Sequence, residues 1–153
     1  MSLSLNHYSI RTADLEASRR FYVEALGLAV GPRPDFPFPG LWLYAGDTAV
    51  WANAVVHLIG VSAADPRGLQ GYLGERDSAP RRGTGALDHV AFFATGLTER
   101  RAVLQRLGLA VRERQVPGLG LHQLFVEVPD GIVVELNYPA AEAAAQAACA
   151  ATE

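Results

Sequence analysis

The sequence predicts an α+β fold made of two βαβββ units, and three observations predict it. The pentapeptide Leu-Gly-Leu-Ala-Val occurs at 26–30 and again at 107–111, which marks an internal repeat. A stretch of helical periodicity precedes each copy, and a short alternating stretch precedes each helix. Strand-like runs of β-branched and aromatic residues follow each copy in the same order.

The first unit opens with a strand at Leu5–Ile10, which carries His7. Asp14 then caps a helix with Leu15, Phe21, Tyr22 and Leu26 on its apolar stripe, and Gly27 ends it. A short strand follows at Leu28–Val30. The segment Gly31–Gly40 holds Pro32, Pro34, Pro37 and Pro39, so it cannot join a ladder and reads as a loop. Strands are predicted at Gly40–Tyr44 and Ala54–Ile59. In the second unit a strand at Leu87–Phe92 carries His89, whose offset from His7 matches that of the pentapeptides within one position. Thr98 is the predicted cap of a helix with Val103, Leu104 and Leu107 apolar, ended by Gly108. Strands follow at Leu109–Arg112, His122–Val128 and, past a Pro129-Asp130-Gly131 turn, Ile132–Leu136. The modules span 1–61 and 87–138; the Pro-, Gly-, Arg- and Asp-rich joint 62–86 reads as a linker with room for one helical turn. The tail, 139–153, is mostly alanine, and it reads as a frayed or helical extension without chemistry.

Composition narrows the function. A chain of 153 residues makes one ordinary domain or two halves sharing a core. A formal charge of −3 gives no case for nucleic acid. All 13 basic residues are arginine, which excludes a Schiff-base lysine and a P-loop lysine. The single cysteine, Cys149, can form no internal disulfide, so a reduced, cytoplasmic setting is expected. No signal peptide is expected. The longest uncharged run, Thr48–Ala64, is short for a membrane span and better suited to a buried strand.

Four side chains fall in repeat register: His7 with His89 on the first strands, His57 with Glu135 on the last. Taken singly, a strand histidine is more often a hydrogen-bonded core residue than a ligand. Glu135 lies in Ile-Val-Val-Glu-Leu, where a carboxylate is either solvated or buried with a partner. Taken together, three imidazoles and a carboxylate suit a borderline divalent ion with positions open to substrate. Trp42 and Tyr44 share a predicted sheet face and, with Phe125, can line an apolar pocket or serve as core. His122 lies outside the register and reads as structural, with acid–base work as the alternative.

With those motifs in hand, Leu-Asn-His7, Val-Val-His57-Leu, Leu-Asp-His89-Val-Ala-Phe and Pro-Asp-Gly-Ile-Val-Val-Glu135-Leu, the chain resembles the vicinal oxygen chelate superfamily over residues 3–138. That superfamily includes glyoxalase I, methylmalonyl-CoA epimerase, extradiol dioxygenases and fosfomycin and bleomycin resistance proteins. The resemblance implies a curved sheet cradling one divalent ion (Zn, Ni, Co, Mn or Fe(II)) and a small substrate that chelates it through vicinal oxygens. It implies His7, His57, His89 and Glu135 as ligands, Glu135 and His57 as proton-transfer groups, and Arg11 as a contact to a substrate carboxylate. Family lyases usually carry glutamate and epimerases glutamine where His57 stands, so this chain departs from both. Phe125 stands where ring-cleaving members carry tyrosine, and Val61 where glutathione-dependent members carry asparagine. The expected activity is a glyoxalase-like lyase or isomerase stabilising an enediolate or enolate. The alternatives are an Fe(II) ring-cleaving dioxygenase and a non-catalytic drug- or metabolite-binding protein. A homodimer is expected, because Phe36 and Phe38 of the Pro-rich loop would need a partner's shelter.

Overall fold

The computed structural model describes residues 4–62, 64–74, 77, 79 and 81–150, with side chains through 145. The chain forms two compact units, Met1–Arg82 and Gly83–Glu153.

In the first unit β1 (Tyr8–Thr12), β2 (Ala29–Gly31), β3 (Gly40–Tyr44) and β4 (Ala54–Gly60) form a mixed sheet ordered β1-β4-β3-β2. β1 runs parallel to β4 and the other pairs are antiparallel. α1 (Leu15–Arg20) packs on β3 and β4. The Asp14 carboxylate caps it by accepting from the Ala17 N–H at 2.9 Å. The helix continues as a π-helical turn, Phe21–Ala25, which buries Phe21, Tyr22 and Ala25. This turn has a cause in the sequence. The stretch from His7 to Gly27 is longer by a single residue than the matching stretch from His89 to Gly108, so the first unit carries an extra helical residue. A π turn absorbs that residue without shifting either end. Gly27 (φ 73°) and Gly108 (φ 67°) then end the two helices in left-handed backbone that glycine adopts without strain.

The predicted joint includes a helix. It forms α2 (Arg67–Leu73), whose Leu69 and Leu73 bury against Phe38, with Phe36, Ile59 and Val61 packed alongside. Phe36 and Phe38 stack at 5.3 Å, and Tyr72 closes on both rings at 5.5 and 5.0 Å. The loop's shelter therefore comes from the chain's own α2, and the loop gives no argument for a dimer.

The second unit repeats the plan. β5 (Val90–Phe93), β6 (Val111–Val116), β7 (Leu121–Glu127) and β8 (Val133–Pro139) form a mixed sheet ordered β5-β8-β7-β6, with β5 parallel to β8. α3 (Leu97–Arg106) starts just before Thr98, which lies inside the helix. Its cap position is Gly96, which has no side chain to offer. The Leu97 N–H donates instead to Glu142 Oε2 at 2.8 Å. Glu142 belongs to α4 (Ala140–Ala150), so the described part of the alanine tail is helical and its Glu142 closes the end of α3. Cys149 lies in α4, and its side chain is outside the described residues. Glu142→Ala is expected to lower stability by about 0.5–2 kcal/mol, the range for losing a cap, read as a lower melting temperature. Among the described residues no helix is long and apolar enough to cross a membrane.

Candidate functional site

The ladders fix which residues correspond. His57 pairs with Ser9 on one side and Trp42 on the other; Glu135 pairs with Ala91 and Phe125. Ser9 and Ala91 stand in the same place relative to their unit's histidine, so His7 matches His89, His57 matches Glu135, and Trp42 matches Phe125. Both histidines sit just ahead of their strands rather than within them.

In the first unit His57 is held between two rings. His7 stacks on one side at 3.8 Å and 20°, and Trp42 on the other at 4.0 Å and 5°. The His57 Nε2 is buried and has no hydrogen-bond partner among the described residues. A cavity of about 160 Å³ opens here, lined by His7, His57 and Trp42 together with Arg33, Phe36 and Tyr72. Burial first, and then the neighbouring His7 ring, push the His57 pKa down from 6.5 to about 4, against a backbone hydrogen bond at Ala54 that raises it. The folded state thus keeps His57 neutral where the unfolded chain already takes up a proton. Stability of the metal-free protein should therefore fall as the pH drops from 6.5 to about 4. Urea midpoints across that window should drop less in His57→Phe, which keeps a ring in the stack.

The second unit places His89 against Glu135. The carboxylate is 5% exposed. Its Oε1 accepts from Gln123 Nε2 at 2.9 Å and from Asn137 Nδ2 at 2.7 Å. Gln123 in turn accepts from Arg114 Nε at 2.8 Å and donates to Asn137 Oδ1 at 2.8 Å. Oε2 is left facing His89 Nε2 at 3.3 Å. Phe125 meets the His89 ring edge-on at 6.0 Å and carries the Arg112 guanidinium 4.3 Å over its face.

These donors fit a divalent ion on two counts. His89 Nδ1 donates to Asp88 Oδ2 at 2.8 Å and His7 Nδ1 to Asn6 Oδ1 at 2.6 Å, so each ring turns a bare Nε2 outward. His89 Nε2 faces a carboxylate oxygen at 3.3 Å; a protonated ring makes an ion pair there, and a neutral ring with Nδ1 protonated presents a lone pair that a shared cation would bridge. Two donors bonded at about 2.0–2.2 Å to one tetrahedral ion lie roughly that far apart. Among the described residues no three His, Cys, Asp or Glu side chains gather where they could hold a metal ion.

Several predicted residues stand elsewhere. Tyr44 does not join Trp42 in lining the cavity. Tyr44 is 2% exposed, its ring lies against Gly31, the ladder partner of Trp42, and its hydroxyl donates to Pro32 O at 2.6 Å. Arg11 donates to the Asp77 carbonyl and is not among the residues lining the His7–His57 cavity. His122 is buried with Nε2 2.7 Å from Glu113 Oε2 and 3.0 Å from Arg101 Nη2. It alternates with Gln123 along β7 and so faces away from Glu135. Arg101, then His122, hold the Glu113 carboxyl below its usual range against its partial burial. Sequence reasoning missed Asn6, Asp88, Gln123, Asn137 and Arg33. The first two were within reach, since each directly precedes a registered histidine.

The Glyoxalase/Bleomycin resistance protein/Dioxygenase superfamily matches residues 4–136 of the chain. The trypanothione-dependent glyoxalase I of Leishmania major has a similar structure, with 22% identity and a TM-score of 0.62, covering 99% of this chain and 100% of that one. A lactoylglutathione lyase from Agrobacterium tumefaciens is 20% identical with a TM-score of 0.58, covering 88% and 92%. A protein from the mobile metagenome of V. Pseudocholerae is 16% identical with a TM-score of 0.62, covering 90% and 96%. At these identities the structural likeness speaks for the fold. No curated protein matches the chain in sequence. The match over residues 4–136, on two βαβββ units with histidine and glutamate in register, places the chain in the glyoxalase/bleomycin resistance protein/dioxygenase superfamily.

Proposed function

We propose that the protein is a metal-dependent glyoxalase-like lyase or isomerase in which His7, His57, His89 and Glu135 hold one divalent ion, within one chain or across a pair. The opposition of His89 Nε2 and Glu135 Oε2 at 3.3 Å carries this reading. Bound there, a Zn, Ni, Co, Mn or Fe(II) ion supplies Lewis-acid stabilisation of negative charge on two neighbouring substrate oxygens. Glu135 serves as the base that takes a proton from the adjoining carbon. The Gln123 and Asn137 N–H groups occupy Oε1, so Oε2 is the oxygen that would hold the ion and, once released from it, accept the proton. His57 stays neutral at pH 7 and can accept a proton on the other face, weakly, given its low pKa. Phe125 and Trp42, at matching ladder positions, supply apolar walls.

A second reading has its own observation. Lone pairs lie in the ring plane, and the His7 and His57 planes are 20° apart, so the stacked rings do not aim at a common point about 2 Å away. With His57 left in its stack, His7, His89 and Glu135 would form an open triad suited to an Fe(II) ring-cleaving dioxygenase. Metal content of the purified protein tests both readings. Turnover of methylglyoxal hemithioacetal under Ni(II), Co(II) or Zn(II) supports the first. Oxygen uptake and a yellow product from catechols under Fe(II) support the second, and silence in both assays supports a binding protein.

We propose a homodimer as well, now from the second unit's surface. Phe93 is 89% and Leu119 72% exposed, and Phe93 borders a cavity of about 470 Å³ shared with Leu121 and Pro139. Sedimentation should give a dimer, with Phe93→Glu shifting it to monomer.

A further inference from the structure

We propose that Arg33 is an anchor for a carboxylate, so that the ligand of the first unit's cavity is a small monoanionic acid with a flat or branched apolar body. The inference names the substrate class of the proposed metal site and so rests on that reading for its catalytic meaning, but the recognition itself lies within one unit.

Four observations carry it. Arg33 lines the same cavity of about 160 Å³ as His7 and His57, and among the described residues no Asp or Glu lines it. Its guanidinium lies 5.2 Å from the Phe36 ring centre and 5.3 Å from that of Phe38. One arm is fixed, because Nη2 donates to the Phe38 carbonyl at 2.8 Å. Among the described residues Arg33 forms no ion pair, whereas Arg19, Arg67, Arg81 and Arg101 each hold a carboxylate of their own.

The chemistry follows from that arrangement. A guanidinium carries five N–H donors, and a single carbonyl uses one of them. Stacking against the rings and the bond to Phe38 hold the group in place, so little side-chain entropy is lost when an anion docks. One arginine fork matches one carboxylate in bidentate fashion. The aromatic rim of Phe36, Phe38 and Tyr72 suits an apolar body beside it. A space of about 160 Å³ equals roughly five waters, below the range of drug-sized pockets, so the ligand is small. Among the described residues the polar side chains that line the cavity besides Arg33 are His7, His57, Ser9 and Tyr72, none of them a carboxylate that would repel an anion.

Benzoate and its neutral isostere benzamide are the probes. Binding is followed by Trp42 fluorescence in metal-free Trp51→Phe protein, where Trp42 is the sole remaining indole. Benzoate should bind roughly tenfold to a hundredfold tighter than benzamide, the worth of a charge-assisted hydrogen bond. Arg33→Gln should abolish that preference while leaving benzamide affinity unchanged, and Arg33→Lys should keep part of it. Equal binding of acid and amide by the parent protein overturns the proposal, as does saturable binding of neither. So does a full preference surviving in Arg33→Gln, or complete displacement of benzoate by equimolar inorganic phosphate. The acid–amide comparison needs no Arg33 variant, so it reads out even where a variant fails to fold. Because the titration uses metal-free protein, its failure and the failure of the metal site are separate results.

Discussion

Glu135→Gln is expected to weaken divalent-metal affinity by more than about 100-fold while leaving the metal-free protein melting no lower than wild type. Glutamine keeps an oxygen to accept from Gln123 and Asn137, so the buried network stays satisfied. It removes the anionic donor and can present an N–H₂ to His89 Nε2, which then loses its lone pair to a hydrogen bond. Gln123→Leu provides the graded comparison. It leaves Glu135 charged but removes one of its two amide donors, and a lost supporting group of this kind costs roughly 10–100-fold in metal affinity. Metal analysis after dialysis and competition with a chelator measure both variants. Stoichiometric metal retained by Glu135→Gln, or by His89→Ala, would rule out the proposed site.

Much of this arrangement is legible in the sequence because a repeat converts spacing into geometry. The offset between His7 and His89 is also the offset between their ladder neighbours Ser9 and Ala91. It shortens by a single position at the pentapeptide, and the π turn at Phe21–Ala25 is where the extra residue goes. Features set by contacts between distant residues were not legible. Tyr44 shares the parity of Trp42 yet is buried with its hydroxyl tied to Pro32, and alternation alone does not say which of the two reaches the cavity. Nor does local sequence show that Glu142, far along the chain, closes α3; Thr98 is the better cap by residue type but lies inside the helix. The two units also differ where the repeat would make them alike. Gln123 and Asn137 support Glu135, whereas the positions flanking His57 in the same register, Gly40 and Ile59, have no polar side chain. A carboxylate is thus served in one unit and an imidazole stack in the other.

The placement of α2 against the Pro-rich loop rests on one glycine, and Gly68→Ala is expected to show it. A Cβ at residue 68 would stand 1.5 Å from the Pro37 carbonyl oxygen and 2.6 Å from its carbon, both backbone atoms that cannot swing aside. The helix must lift off the loop, which loosens Leu69 and Leu73 from Phe38. Overpacking of this kind costs about 1–3 kcal/mol, which for a chain of this length lowers the melting temperature by roughly 2–12 °C. Gly71→Ala is the matched control one turn along the same helix. Nothing lies within 4 Å of its added Cβ, so only helix propensity acts. That substitution should stabilise by about 0.5–1 kcal/mol. Opposite signs for the two substitutions are the expected result; a common sign would mean that close approach to Pro37 does not hold α2. The consequence reaches the cavity, because Phe36, Phe38 and Tyr72 are its aromatic rim and meet only while α2 lies on the loop. Gly68→Ala should therefore also weaken benzoate binding at Arg33, whereas Gly71→Ala should leave it unchanged.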